Sequence, residues 1–301
     1  MKRFFSWRIP GTWTLFRADD RLLLIVSGMV VGLAGGFAAY LLNRSLIFLF
    51  DVLKPYRTCA WSFVIPGAGA ALSVLFLTRV VREKGGHGVP EVIYSVSRLG
   101  GRLSARAMFS RLVASSLTIG SGGSAGPESP VVISGAAIGS NIARFFSMNE
   151  RQRVTLLGCG AAGAISSIFN APIAGFVFVL EVVLGEWSKA HIVPVAVASV
   201  AGAQINRLLS GNQIAFSHHR FQVSWQDTLA CLGLALFAAL ISVLMTRGIR
   251  TMHQIAGKTG LPAWVKAALG GCAVGLIGIA VPDALGEGYH AIREMIEGAY
   301  A

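Results

Sequence analysis

The sequence predicts an all-helical, polytopic membrane protein whose spans are interrupted by glycine- and proline-rich breaks. Three observations predict it. First, hydrophobic residues make up 54% of the 301 residues and charged residues only 13%, with a mean hydropathy of +0.64. Soluble globular domains do not have this balance. Second, the net charge of +12 is gathered into short segments between apolar runs. That is the positive-inside pattern of membrane loops, and it excludes a nucleic-acid-binding face. Third, helix-breaking stretches recur inside apolar sequence: GGHGVPE at 85–91, GSGGSAGPESP at 120–130 and FNAPIAG at 169–175. Thirty-six glycines suit close helix packing and broken helices in lipid.

Residues 1–21 form a lead segment in which Lys2, Arg3, Arg8, Arg17 and Arg21 interleave with Phe4, Phe5, Trp7, Trp13 and Phe16. It has no long apolar core or cleavage site, so it reads as a cytoplasmic interfacial segment and not a secretory signal. Leu22 to Val52 is long enough to cross a membrane at a tilt. Ser62 to Thr78 crosses back, and Arg79, Arg82 and Lys84 mark a cytoplasmic end. Val89-Pro90-Glu91 reads as a helix first turn, with proline near the start and an acid just inside it. That short helix ends near Leu99-Gly100-Gly101. Ala107 to Ile119 delivers the chain to the central loop Gly120–Pro130, and Val131 to Ile142 is helical again. Thr155 to Ile168 is rich in small residues, Phe169 to Pro172 breaks it, and Ile173 to Leu184 is a short apolar helix with one acid, Glu181. Ile192 to Leu209 is another span.

Residues 22–209 thus form a first repeat, 210–224 a polar loop and 225–301 the start of a second repeat. Trp264 precedes Gly270 as Trp61 precedes Gly67, and Gly286-Glu287-Gly288 follows as Gly86-His87-Gly88 does. Repeated halves with broken helices are a transporter pattern. The four cysteines, Cys59, Cys159, Cys231 and Cys272, lack metal spacing and read as core residues.

The breaks carry the chemistry. A glycine loop feeding a helix start points backbone N–H groups and a partial positive charge at its neighbour. Several such ends would hold a dehydrated anion weakly enough to release it, without a full cation beside it. Glu128, a costly acid in lipid, is then either a capping carboxylate or an anion mimic that plugs the site. His87 can donate to an anion or take a proton. Glu181 is expected to hydrogen-bond the backbone of a neighbouring loop. Gly122–Gly126 also matches G-x-S-x-G, the pattern of a serine hydrolase using Ser124 with His87 or His191 as base. That pattern requires strand, elbow and helix, whereas this loop is flanked by helices.

At these residues the chain resembles the CLC family of chloride channels and proton-coupled chloride transporters. GGHGVPE is similar to the family's G-S-G-I-P-E stretch, GSGGSAGPESP to its G-S-G-G-S-x-G-R-E-G-P stretch, and FNAPIAGFVFVLE to its F-N-A-P-L-A-G-x-x-F-x-x-E stretch. The resemblance covers about residues 20 to 300, the first half of the family's transport domain and the opening of the second. It implies an inner-membrane, multi-pass homodimer with a cytoplasmic N-terminus and an anion pathway in each subunit. It further implies Glu128 as the gate, and His87, Gly88, Val89, Pro127, Glu128 and Ser129 around the anion. No cofactor is implied beyond a bound chloride or similar anion.

Five departures stand out. Pro127 replaces an arginine and removes one backbone N–H, Ser129 replaces a glycine, and His87 replaces a coordinating serine. Val182 stands where exchangers carry an internal proton-transfer glutamate, beside the retained Glu181, which favours a channel or a differently coupled exchanger unless Glu181 or Glu186 substitutes. The family's second-half G-K-x-F-x-P stretch and pore tyrosine are absent from this sequence. A non-transporting partial membrane subunit is therefore the alternative reading.

Overall fold

The structure is a computed structural model and describes residues 20–59, 61–83, 88–212 and 224–297. Among these residues all regular secondary structure is helical. The helices are α1 (Asp20–Leu53), α2 (Val64–Leu75), α3 (Val89–Arg98), α4 (Ala107–Gly120), α5 (Glu128–Phe145), α6 (Glu150–Phe169), α7 (Pro172–Phe178), α8 (Lys189–Ser210), α9 (Trp225–Lys258), α10 (Ala263–Ala280) and α11 (Tyr289–Glu297). A 3₁₀ turn, Lys54–Thr58, extends α1, and π-helical turns at Phe76–Val81 and Val179–Leu184 extend α2 and α7. Five of the described helices are long and apolar enough to cross a membrane: 21–57, 64–81, 189–210, 225–258 and 263–280.

The chain forms two compact units, each assembled from separate stretches. The first comprises Met1–Asn43, Gly86–Leu112 and Glu128–Gln213. Its centre is glycine-mediated helix contact. A Cβ on Gly135 of α5 would overlap the Gly160 carbonyl of α6, and one on Gly139 would overlap the Leu156 carbonyl. On the other face of α6, Gly163 meets the backbones of Gly32 in α1 and Gly202 in α8. Such small-residue seams let backbones touch, so dispersion replaces the hydrophobic drive that lipid cannot supply. Val31, Val132, Leu156, Leu157 and Leu180 fill the remaining core. Buried hydroxyls are paired within it: Ser166 with Ser199 at 2.7 Å, and Ser167 donating to the Gly36 carbonyl at 2.9 Å. An Asn149–Gln152 capping box starts α6, and Asn170 ends it at φ 51°, a left-handed conformation asparagine tolerates.

The second unit comprises Arg44–Gly85, Val113–Pro127 and Ile214–Ala301. Here α2 packs on α10. Gly271 meets the backbone of Pro66 and Gly67, and Gly275 meets Phe63. α9 buries none of its residues, as a helix surrounded by hydrocarbon would be. The order long helix, apolar helix, glycine break, short helix occurs twice, as α1–α2–α3 and α9–α10–α11. Gly88 and Gly288 stand directly before α3 and α11, both at φ 73°.

Several sequence expectations are refined. α5 begins at Glu128, three residues before the expected Val131, because proline is admitted to a first turn whose N–H groups lack intrahelical partners anyway. Ile173 to Leu184 is not one regular helix but α7 followed by a π-helical turn. Of the cysteines, Cys159 is buried, Cys59 and Cys272 are intermediate, and Cys231 on α9 is exposed. A core role therefore holds for Cys159 alone. Most of the lead segment (1–19) and of the polar loop (213–223) lies outside the described residues.

Candidate anion site at the helix breaks

In the first unit, the starts of α3 and α5 are tied together by one side chain. Gly88 takes φ 73°, turning the chain into Val89-Pro90-Glu91. The Val89 N–H then donates to the Ser129 hydroxyl at 3.1 Å. A Cβ on Gly88 would overlap that same hydroxyl oxygen, so the position requires glycine on both conformational and steric grounds. Glu128 is the first residue of α5 and Ser129 the second. The carboxylate therefore sits at the positive end of an 18-residue helix, where the macrodipole favours negative charge. Four of the expected anion-site residues, Gly88, Val89, Glu128 and Ser129, come together at these two helix starts. His87 lies outside the described residues. Ser129 changes the donor set, because its hydroxyl already occupies the Val89 N–H that a glycine at this position would leave facing outward.

The loop that leads into Glu128 belongs to the second unit. Gly122 N–H donates to the Ile119 carbonyl at 2.9 Å and Gly123 N–H to the Thr118 carbonyl at 2.9 Å, closing the end of α4. Gly122 has φ 110°, which only glycine adopts readily. Ala125 N–H donates to the Gly286 carbonyl at 3.2 Å. The central break is thereby fastened to the glycine break that precedes α11. Ser124, Ala125 and Gly126 are exposed, and Pro127, which offers no N–H, is buried.

Charged side chains at the breaks are the feature that sequence reasoning missed. Arg57 lies 3.7 Å over the Phe50 ring and donates to the Gly120 carbonyl at 3.4 Å. Its Nε is buried without a partner among the described residues. Arg111 pairs with Glu91 in the first turn of α3 at 3.5 Å. Arg207 donates to Asn170 Oδ1 at 2.6 Å, and Asn170 in turn donates to Asn212 at 3.1 Å. Each break thus has an arginine at its edge, contrary to the expected absence of a full cation. Each of these guanidiniums engages a carboxylate, an amide or carbonyl oxygen, or a ring face, so part of its charge is already satisfied. No local signal announces them, because each arrives from 20 to 63 residues away in sequence.

Glu181 is exposed on the Val179–Leu184 turn and makes no hydrogen bond to a described residue, so the loop-bracing expected of it is not seen. His191 is buried, with Nδ1 2.8 Å from the Thr155 hydroxyl and Nε2 2.7 Å from Glu186. Its two ring nitrogens thus face Thr155 and Glu186. Ser124 follows helix α4 and not a strand, so the nucleophile-elbow context is missing. No group of three or more potential metal ligands occurs among the described residues.

The chain as a whole is similar to proteins of a known family. The model of a family described as voltage gated chloride channel matches residues 69–301. A ClcB-like chloride channel protein of Ralstonia nicotianae is 30% identical over 286 residues, covering 90% of this chain and 66% of that protein. The H⁺/Cl⁻ exchange transporter ClcA of Vibrio cholerae is 26% identical, covering 79% of this chain and 53% of that protein. Chloride channel protein CLC-e of Arabidopsis thaliana is 27% identical, covering 91% and 42%. The chain thus spans between 42% and 66% of the length of these curated relatives. Among solved structures, a slow cyanobacterial Cl⁻/H⁺ antiporter superposes with TM-score 0.77 at 22% identity, covering 90% of this chain and 67% of that one. A CLC-type fluoride/proton antiporter superposes with TM-score 0.77 at 22% identity, covering 91% and 69%. Similarity at this identity shows the shared fold.

Proposed function

Because the chain belongs to the voltage gated chloride channel family, we propose that it moves chloride or a similar small anion across a membrane, with Glu128 as the gate. The observation that carries this reading is the junction of two broken-helix starts through Ser129. Val89 and Glu128 open two helices joined by one hydroxyl, so two partial positive ends share a small volume. A monovalent anion there is held by dipoles, tightly enough to shed water and weakly enough to leave. The Glu128 carboxylate competes for the same field. Protonating it or swinging it aside admits the anion. Gly88, Val89, Pro127, Glu128, Ser129 and His87 surround the anion in this reading, and no cofactor takes part.

The reading extends to an inner-membrane location, a cytoplasmic N-terminus and pairing of two copies of the chain, each with its own pathway. Light scattering on the detergent-solubilised protein checks the pairing. A particle mass of two chains is expected, and a mass of one chain would refute it.

The test of the gate is anion efflux from liposomes carrying the wild type, Glu128→Gln or Glu128→Ala, at acid and neutral pH. The wild type passes chloride faster at acid pH. Both variants pass it at a rate that no longer depends on pH. One observation favours a second reading, proton-coupled exchange. Although Val182 cannot carry a proton, Glu186 reaches the buried His191, which reaches Thr155. A pH dye in the same liposomes separates the two readings. The channel reading predicts no coupled proton movement, and a proton flux abolished by Glu186→Gln would replace it with exchange.

A further inference from the structure

The first unit carries a second charged cluster, made by the end of α5, the start of α6 and the turn after α3. Arg102, Arg144 and Arg153, with Ser147 and Met148, line a cavity of about 380 Å³. The turn that shapes it is well fixed. Ser147 takes φ 55°, and its N–H and that of Met148 close the end of α5 on Arg144 and Ala143 at 3.1 and 2.9 Å. Arg153 is 7% exposed, and its Nε donates to the Gly100 carbonyl at 2.6 Å. Arg144 gives one donor to Asn141 at 3.3 Å. Arg102 makes no hydrogen bond or ion pair with a described residue, and no described carboxylate forms an ion pair with any of the three. Burial lowers the Arg153 pKa from its ordinary value, the Arg102 and Arg144 charges lower it further, and Glu150 opposes them. Three guanidiniums are therefore held together with most of their donors unused, at an electrostatic cost that an anion would relieve.

The size and shape of the space decide which anion. A chloride ion would fill little of 380 Å³, whereas guanidinium forks match the oxygens of a phosphoryl group in pairs. Beside the cavity stand Phe145 and Phe146, 65% and 45% exposed, with rings 5.2 Å apart edge to face. Apolar rings next to a basic pocket are what a membrane surface would meet: the rings enter the acyl boundary while the charges reach the headgroup layer. We propose that Arg102, Arg144 and Arg153 form a binding site for a phosphoryl oxyanion, the headgroup phosphate of an anionic lipid.

The test is thermal unfolding of the full chain in detergent, titrated separately with short-chain phosphatidylglycerol, phosphatidylcholine of the same chain length and inorganic phosphate. The proposal predicts that phosphatidylglycerol raises the Tm and phosphatidylcholine does not. Arg102→Gln/Arg144→Gln, at two exposed positions, loses at least half of the shift. Arg98→Gln, an exposed arginine outside the cavity, keeps it. If inorganic phosphate produces the same Arg102- and Arg144-dependent shift, the site takes free oxyanions as well as lipid. If the double variant does not fold, Arg102→Gln alone carries the prediction, since that side chain makes no hydrogen bond to a described residue. The proposal is overturned if neither anion shifts the Tm, if the shift survives the double variant undiminished, or if Arg98→Gln removes it equally.

Discussion

Ser129 is the residue on which the proposed anion site turns. Its hydroxyl takes the Val89 N–H at 3.1 Å and fills the space beside Gly88. It thereby braces two helix starts while withdrawing one donor from any anion there. Ser129→Gly should have two opposing effects. Losing the hydrogen bond costs roughly 0.5–1.5 kcal/mol of stability, read as an earlier unfolding midpoint in denaturant. Releasing the Val89 N–H increases chloride affinity, read by calorimetric titration. A variant that is less stable but binds chloride no better would show that Ser129 is purely a brace. At this scale the sequence was only partly informative. Glycine and proline in GGHGVPE and GSGGSAGPESP announce where the backbone breaks, since those residue types leave few alternatives. The partner that bridges them, and the arginines that border them, depend on long-range placement that no local pattern encodes.

At the scale of elements, the fold rests on glycine seams and not on large side chains. Gly160 touches Gly135 on α5 and Val31 on α1, so any side chain there must push helices apart. Gly270 on α10, by contrast, has open space where a Cβ would stand, with nothing within 4 Å. Gly160→Leu should therefore abolish recovery of folded protein, a penalty above the ~1–3 kcal/mol of ordinary overpacking because the obstacle is backbone. Gly270→Ala should leave the unfolding midpoint unchanged or slightly raised, since alanine is the better helix former by about 1 kcal/mol. Size-exclusion profiles and denaturant midpoints of the two variants check the contrast, and equal behaviour would deny the seams their role. Element types and order were largely legible, because the apolar runs and their breakers set them directly. α3 starts at Val89 as the Val-Pro-Glu turn predicts. The start of α5 lies three residues before the sequence expectation, because two prolines near a helix start fit either a loop or a first turn. The π-helical turn after α7 was not legible at all, since Val179–Leu184 has an ordinary apolar helical composition.

At the scale of the whole molecule, the same order of elements occurs twice, and the central loop of the first half is fastened through Ala125 to the Gly286 break of the second. The second unit therefore holds residues from both halves of the sequence, which a reading by consecutive segments does not anticipate. The central claim is that Glu128 gates an anion pathway at the helix breaks. Chloride efflux from liposomes containing this chain, with Glu128→Ala alongside, tests it most directly. The account predicts measurable efflux that slows as pH rises in the wild type and becomes independent of pH in Glu128→Ala. Efflux with the same pH dependence in both, or none from either folded protein, would contradict it.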